Sequence, residues 1–243
     1  MPKFIFERSQ EQAYDSNATD YWPCNEGTGT AIASYKLPGV RDLAYIGLWY
    51  PGGPVYGFNG RGTPDLDGST NNINGSDICD VGANNFSFSA WIFPDSLSST
   101  KKFLVHKIKD CFPTTTGELG YAIYLDPAND YWTVYIQYGT IVSQYSRAFN
   151  SHGLSTGVWS HVAITVDRDA GIAYYYVNGL FVNSDAFSAS TDGISISNGR
   201  NFYLGMGGDP TSRYFDGRMT EIWFKTNGVW TAGEVWRIYK NAR

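Results

Sequence analysis

The chain has 243 residues, a formal net charge of −5, 27 glycines, and nearly as much aromatic residue (16%) as charged (17%). That length holds one large core, and the composition excludes a disordered chain and a charge-rich helical protein. The acidic balance argues against a nucleic-acid partner, and no apolar run reaches the roughly 18 residues of a membrane span.

After Phe4-Ile5-Phe6, residues 1–20 are polar and read as an arm, docked on a neighbour or frayed. Their start lacks the long apolar centre of a signal peptide. The packed body, 21–243, begins at Tyr21-Trp22-Pro23 and reads as one domain, without linker or internal repeat. Asn25 to Thr30 is a turn and Ala31 to Tyr35 a short strand. Residues 36–54 are rich in Gly and Pro, with apolar islands at Leu43–Ile46 and Leu48–Tyr50. Val55 to Gly60 reads as a strand entering a turn, and Arg61 to Gly75 as a polar loop.

Phe86 to Pro94 is the clearest strand: large and small residues alternate until Pro94 stops it. Lys101 to Lys109 follows as a strand. Tyr121–Leu125 and Tyr131–Tyr138 form a hairpin around Asp126-Pro127-Ala128-Asn129-Asp130. In its second strand Trp132, Val134, Ile136 and Tyr138 share one face, and Tyr131, Thr133, Tyr135 and Gln137 the other. Val158–Asp167 is a core strand that turns at Arg168–Gly171 into Ile172–Val177. Asn178-Gly179 then makes a two-residue hairpin into Leu180-Phe181-Val182. Phe215-Asp216-Gly217 is a tight turn feeding a strand from Arg218 to Lys225. Thr231 and Glu234 form a capping box, with Trp230 stapled on Val235. They open a short helix whose apolar stripe is Val235, Trp236, Ile238 and Tyr239. Strands at this spacing predict an all-β, two-sheet antiparallel jelly-roll sandwich with a short C-terminal helix.

Taken in order, several motifs resemble the concanavalin A-like lectin/glucanase superfamily, in its laminin-G-like jelly-roll branch. They are Tyr21-Trp22 before Glu26-Gly27-Thr28-Gly29, Tyr56-Gly57-Phe58-Asn59-Gly60, and Phe86 to Ile92. Trp159-Ser160-His161-Val162, Tyr176-Val177-Asn178-Gly179 and Phe215-Asp216-Gly217 with the capped helix complete the set, which covers about residues 20–243. The resemblance implies a lectin-like jelly roll. It also implies a structural calcium held by an Asp in the strand after Phe-Asp-Gly. Here Thr220 stands there, followed by Glu221, and Ala33-Ser34-Tyr35-Lys36 replaces an Asp-rich turn. A hydroxyl and a lysine do not supply the carboxylates a hard cation needs, so neither metal nor other cofactor is expected.

Glucanases of this fold carry paired acids as Glu-x-Asp-x-x-Glu. No such triplet occurs, and Glu118 and Glu221 are isolated, so the chain reads as no enzyme. His106, His152 and His161 lack ligand spacing and read as non-catalytic. Cys24, Cys79 and Cys111 read as buried reduced thiols. Asn17, Asn74 and Asn85 open glycosylation sequons. Lys101, Lys102, Lys107 and Lys109 read as a solvated strand end. Two groups are candidate ligand contacts: Tyr124, Tyr131, Tyr135 and Gln137 on a sheet face that sugars could stack on, and Asp209, Arg213 and Tyr214 in the loop before Phe215. Each could instead pack under a loop, at a subunit contact or as loop structure. The functional expectation is a non-catalytic structural and adhesion protein of a virion surface: a phage capsid decoration, head-fibre or tail component. It would dock on other virion proteins through residues 1–20, form a homo-oligomer and touch cell-surface glycans, but neither nucleic acid nor membrane. The alternatives are an extracellular carbohydrate-binding module of a secreted protein and a glycan-active enzyme.

Overall fold

The computed structural model describes residues 17–53, 62–98, 100–109, 118–138, 142–148, 152–187, 193–207 and 213–241. In chain order its elements are β1 (Asp20–Trp22), β2 (Ala31–Ile32), β3 (Leu43–Ile46), β4 (Leu48–Pro51), β5 (Gly62–Asp67), β6 (Asn72–Gly75), β7 (Phe86–Pro94), β8 (Lys102–Lys107), β9 (Gly120–Asp126), β10 (Tyr131–Tyr138), β11 (Val142–Ala148), β12 (Ser160–Asp167), β13 (Ile172–Val177), β14 (Leu180–Ala186), β15 (Phe202–Leu204), β16 (Asp216–Lys225) and helix α1 (Ala232–Asn241). The strands form two antiparallel sheets. Sheet A runs β14-β13-β12-β7-β16-β5-β4, with β1 also paired to β16; sheet B runs β11-β10-β9-β8-β15-β6-β3-β2.

Strand alternation builds the core. Phe86, Phe88 and Ile92 on β7 and Val162, Ile164 and Val166 on β12 face Tyr121, Ile123, Leu125, Trp132, Val134 and Ile136 from β9 and β10. All are buried, and each contributes about 1.5–3 kcal/mol of apolar burial. The part of the outer face of sheet A that carries Tyr21, Ala163, Tyr176 and Trp223 is covered by α1. Trp230, Val235 and Ile238 pack there on Tyr21, Ala163, Tyr176 and Trp223. The expected cap holds the helix start: the Thr231 amide donates to Glu234 Oε2 at 2.7 Å, and the Glu234 amide to Thr231 Oγ1 at 3.3 Å. Asn178 and Gly179 both have positive φ, as the two-residue hairpin requires. None of the described helical segments is long and apolar enough to cross a membrane.

Several expectations change. Arg61 to Gly75 is no continuous loop: it holds β5 and β6, joined by a turn in which Asp67 Oδ1 accepts the amides of Ser69, Thr70 and Asn71. Its Asp and Asn residues disguise strands whose ladders are set by distant partners. Residues 18–20 pack on the body of the chain. Ala18 is buried and the Thr19 amide donates to the Phe224 carbonyl at 2.8 Å. The lysines are not one solvated group. Lys107 is fully buried, its Nζ 2.7 Å from Asp77 and 3.4 Å from Asp80, and Lys102 is buried as well. Cys24 and Cys79 are buried free thiols. Cys111, the strand expected over Val55–Gly60 and the arm through residue 16 lie outside the described residues.

Candidate functional site

One cross-strand row on the outer face of sheet B crosses seven strands. Tyr135 on β10 pairs with Ala122 on β9, Ala122 with His106 on β8, and His106 with Tyr203 on β15. Tyr203 pairs with Asn74 on β6, Asn74 with Ala44 on β3, and Ala44 with Ala31 on β2. Seven strands at about 4.8 Å spacing make a track on the order of 29 Å long. Its aromatic and hydrogen-bonding residues, Tyr135, His106, Tyr203 and Asn74, lie toward one end, and the small Ala44 and Ala31 at the other.

The row is closed at one end and open at the other. Tyr135 and His106 are buried, Tyr203 and Asn74 half-buried, and Ala44 and Ala31 exposed. At the closed end Tyr135 donates to Gln137 Oε1 at 2.6 Å. Beside the row the Phe103 ring lies 5.0 Å from Tyr124 and 5.5 Å from His106. Burial, with the nearby Arg213 charge, pushes the His106 pKa down to about 3, so its ring is neutral. Among the described residues His106 Nδ1 and Thr133 Oγ1 are buried without a hydrogen-bond partner.

The sequence candidates are distributed as follows. Tyr124, Tyr135 and Gln137 lie on this face around Phe103, and the Arg213 carbonyl accepts the Phe103 amide at 3.5 Å. Tyr131 sits at the far end of β10 opposite Asp126, and Tyr214 is buried beside the turn into β16. Asp209 lies outside the described residues. The tyrosines are not an open stacking platform, because Tyr124, Tyr131 and Tyr135 are all buried. Of the half-open part of the row, the sequence marked Asn74 only as a sequon and Tyr203 not as a ligand contact. Only the pairing of a three-residue strand with β6 and β8 brings them beside His106, and no local pattern encodes that.

The other histidines are structural in their contacts. His161 is buried with Nε2 2.7 Å from Ser89 Oγ, and its ring lies against Trp91 and Tyr239. His152 Nδ1 accepts the Leu154 amide. The residues where the resemblance implies calcium do not fit that ion. Thr220 Oγ1 donates to the Pro23 carbonyl at 2.7 Å, Glu221 is held by Tyr21, and Lys36 Nζ donates to the Ala18 carbonyl. The Thr220 hydroxyl and the Lys36 ammonium thus act as donors, whereas a hard cation takes oxygen acceptors. No group of three or more His, Cys, Asp or Glu among the described residues is placed to hold a metal.

A family model for the concanavalin A-like lectin/glucanases superfamily matches residues 67–235. No curated protein matches the chain. Among solved structures it is similar to the binding domain of botulinum neurotoxin serotype D/C VPI 5993, with TM-score 0.66 and 12% identity over 95% of this chain and 53% of that one. The binding domain of botulinum neurotoxin serotype C1 is similar at TM-score 0.61 and 10% identity, over 95% and 53%. This chain spans about half the length of those chains, and likeness at such identity is one of fold.

Proposed function

The chain belongs to the concanavalin A-like lectin/glucanases superfamily, and from that premise we propose that it is a non-catalytic binding domain whose ligand is a carbohydrate held on the outer face of sheet B. The observation that carries this reading is the row Tyr135–Ala122–His106–Tyr203–Asn74–Ala44. Toward its open end it presents the half-buried Tyr203 ring and Asn74 amide side by side, and it runs on to the exposed Ala44. Sugars take this mixture of flat apolar faces and fixed hydrogen-bonding groups. The solved neighbours bearing the words "binding domain" support contact over catalysis. So does the supply of acids: among described strand residues of this face the carboxylate is Asp126, salt-bridged to Lys101 at 3.3 Å. Glycoside hydrolysis needs two carboxyl groups across the scissile bond.

A glycan array followed by calorimetry tests the reading. Binding should fall about tenfold in Tyr203→Ala and Asn74→Ala, with no shortened sugar product after prolonged incubation. Binding untouched by either change, or release of cleaved product, would overturn it. The narrower reading, a virion-surface adhesion protein docked through its N-terminal arm, rests on residues mostly outside the described ones. No contact favours it over an extracellular carbohydrate-binding module.

A further inference from the structure

A second aromatic surface lies on the opposite side of the sandwich. On the outer face of sheet A, Leu48 pairs with Asp65, Asp65 with Arg218, and Arg218 with Phe93. The Arg218 guanidinium lies 3.6 Å from the Tyr50 ring centroid and 4.6 Å from that of Phe93, so it is stacked between them. Phe93 continues to Trp159 at 5.5 Å. Trp159 packs on Trp91 and Tyr239, Tyr239 meets Trp236 at 5.4 Å, and Lys240 Nζ sits 5.1 Å over Trp236. The result is an unbroken ribbon of ring and cation contacts, running from β4 across β5, β16 and β7 and onto α1. Its strand-borne part alone spans on the order of 15 Å.

The ribbon is not simply core that leaks to the surface. Tyr50 is 46% and Trp236 39% exposed, and Phe93 and Trp159 are half-buried, whereas Trp91 and Tyr239 form a buried underlayer. Four large rings are thus partly open to solvent above buried ones; Arg218 covers one face of Tyr50 and of Phe93 and Lys240 one of Trp236, which leaves a ligand the remaining faces and edges. The charge along it is balanced: Arg218 is bridged to Asp95 at 3.1 Å and Asp65 at 3.6 Å. Such a surface offers little net field to an ionic ligand. It offers stacking faces in series, with carboxylate acceptors at Asp65 and Asp95 and an ammonium donor at Lys240. That combination matches a chain of uncharged, polyhydroxylated rings.

We propose that this ribbon is a second binding surface, for a neutral linear oligosaccharide stacked along Tyr50, Phe93, Trp159 and Trp236, independent of the row on sheet B. The test uses the whole chain with cellohexaose, xylohexaose and laminarihexaose, followed by tryptophan fluorescence and calorimetry. At least one hexasaccharide should bind and change tryptophan emission. Tyr50→Ala, Trp159→Ala and Trp236→Ala should each weaken that binding about three- to tenfold. Trp236→Phe keeps a stacking face and should retain most of the affinity, which separates lost stacking from lost fold. No binding by any of the three sugars overturns the proposal. Binding lost in Tyr203→Ala but intact in the ribbon variants also overturns it, while leaving the sheet B reading in place. A single-stranded dT hexanucleotide that bound where the sugars did not would show that bases occupy the rings, and would overturn the assignment to sugars.

Discussion

Tyr21 donates a 2.6 Å hydrogen bond to Glu221 Oε2 across the seam where β1 meets β16. The carboxyl is buried, in a bulge of β16 where Glu221 takes a φ of 50°. Burial pushes its pKa up to about 7, against a smaller downward pull from the tyrosine hydroxyl. The folded state therefore holds this proton more tightly than the unfolded chain, whose Glu titrates near 4.5. The stability contribution is fully present below about 4.5 and is lost as pH rises through 7, to a total of about 3 kcal/mol. Asp20 acts in the same direction. Burial raises it to about 6 despite its 2.6 Å bridge to Arg41. Glu221→Gln should flatten the pH dependence and leave the variant more stable than the parent at pH 8. Urea unfolding at pH 5 and pH 8 measures this, and equal losses for both proteins between the two would contradict it.

His106 and His161 carry the opposite sign. Burial holds both near pKa 3, so both are neutral in the folded protein, while in the unfolded chain they gain a proton near 6.5. Their contribution is present above 6.5 and is lost as pH falls toward 3. Neither ring should titrate between pH 5 and 8, and their carbon-bound ring-proton shifts should be constant there by NMR. A titration midpoint near 6 for His161 would contradict its enclosure by Trp91, Tyr239 and Ser89.

Gly217 takes a φ of 147°, and a Cβ added there would sit 2.0 Å from the Phe93 carbonyl oxygen. The contact is to backbone, so no rotamer change relieves it. Gly217→Ala must separate β16 from β7 where Arg218 stacks on Phe93, and should cost about 3 kcal/mol or more. Thermal unfolding reads the loss directly. A variant within 0.5 kcal/mol of the parent would mean that the turn before Arg218 is adaptable.

The legible parts of this chain are those written in local chemistry. Phe86 to Pro94, the Asn178-Gly179 hairpin and the Thr231–Glu234 cap each declare themselves within a few residues, and together they fix the sandwich and its helical lid. β5, β6 and β15 do not. Asp65, Asn74 and Tyr203 look like loop residues until strands far along the chain pair with them. The site suffers from the same gap. Tyr124, Tyr135 and Gln137 were visible as one face of β10 and its partner, but periodicity cannot say whether such a face is open or covered. It also says nothing of His106 lying between Ala122 and Tyr203, or of Tyr50 reaching Arg218 from another strand.

Independence from calcium is the remaining expectation. Thr220 stands where the family resemblance implies an aspartate, and its hydroxyl is already committed to the Pro23 carbonyl at 2.7 Å. Lys36 brings an ammonium to the Ala18 carbonyl, close enough to Asp20 for the two charges to act on each other. An internal cation and a donor hydroxyl thus satisfy groups that a divalent ion would otherwise gather, and a bound ion would have to displace Lys36 against like charge. The melting temperature should be the same within 1 °C or so in excess EDTA and in millimolar calcium, because an ion that binds only the folded state would raise it by mass action. Lys36→Met, which removes the ammonium and keeps the stem, should lower stability by about 1–3 kcal/mol. Calcium should not restore what that substitution removes. A clear calcium-dependent rise in the parent protein would show that carbonyl oxygens alone recruit the ion.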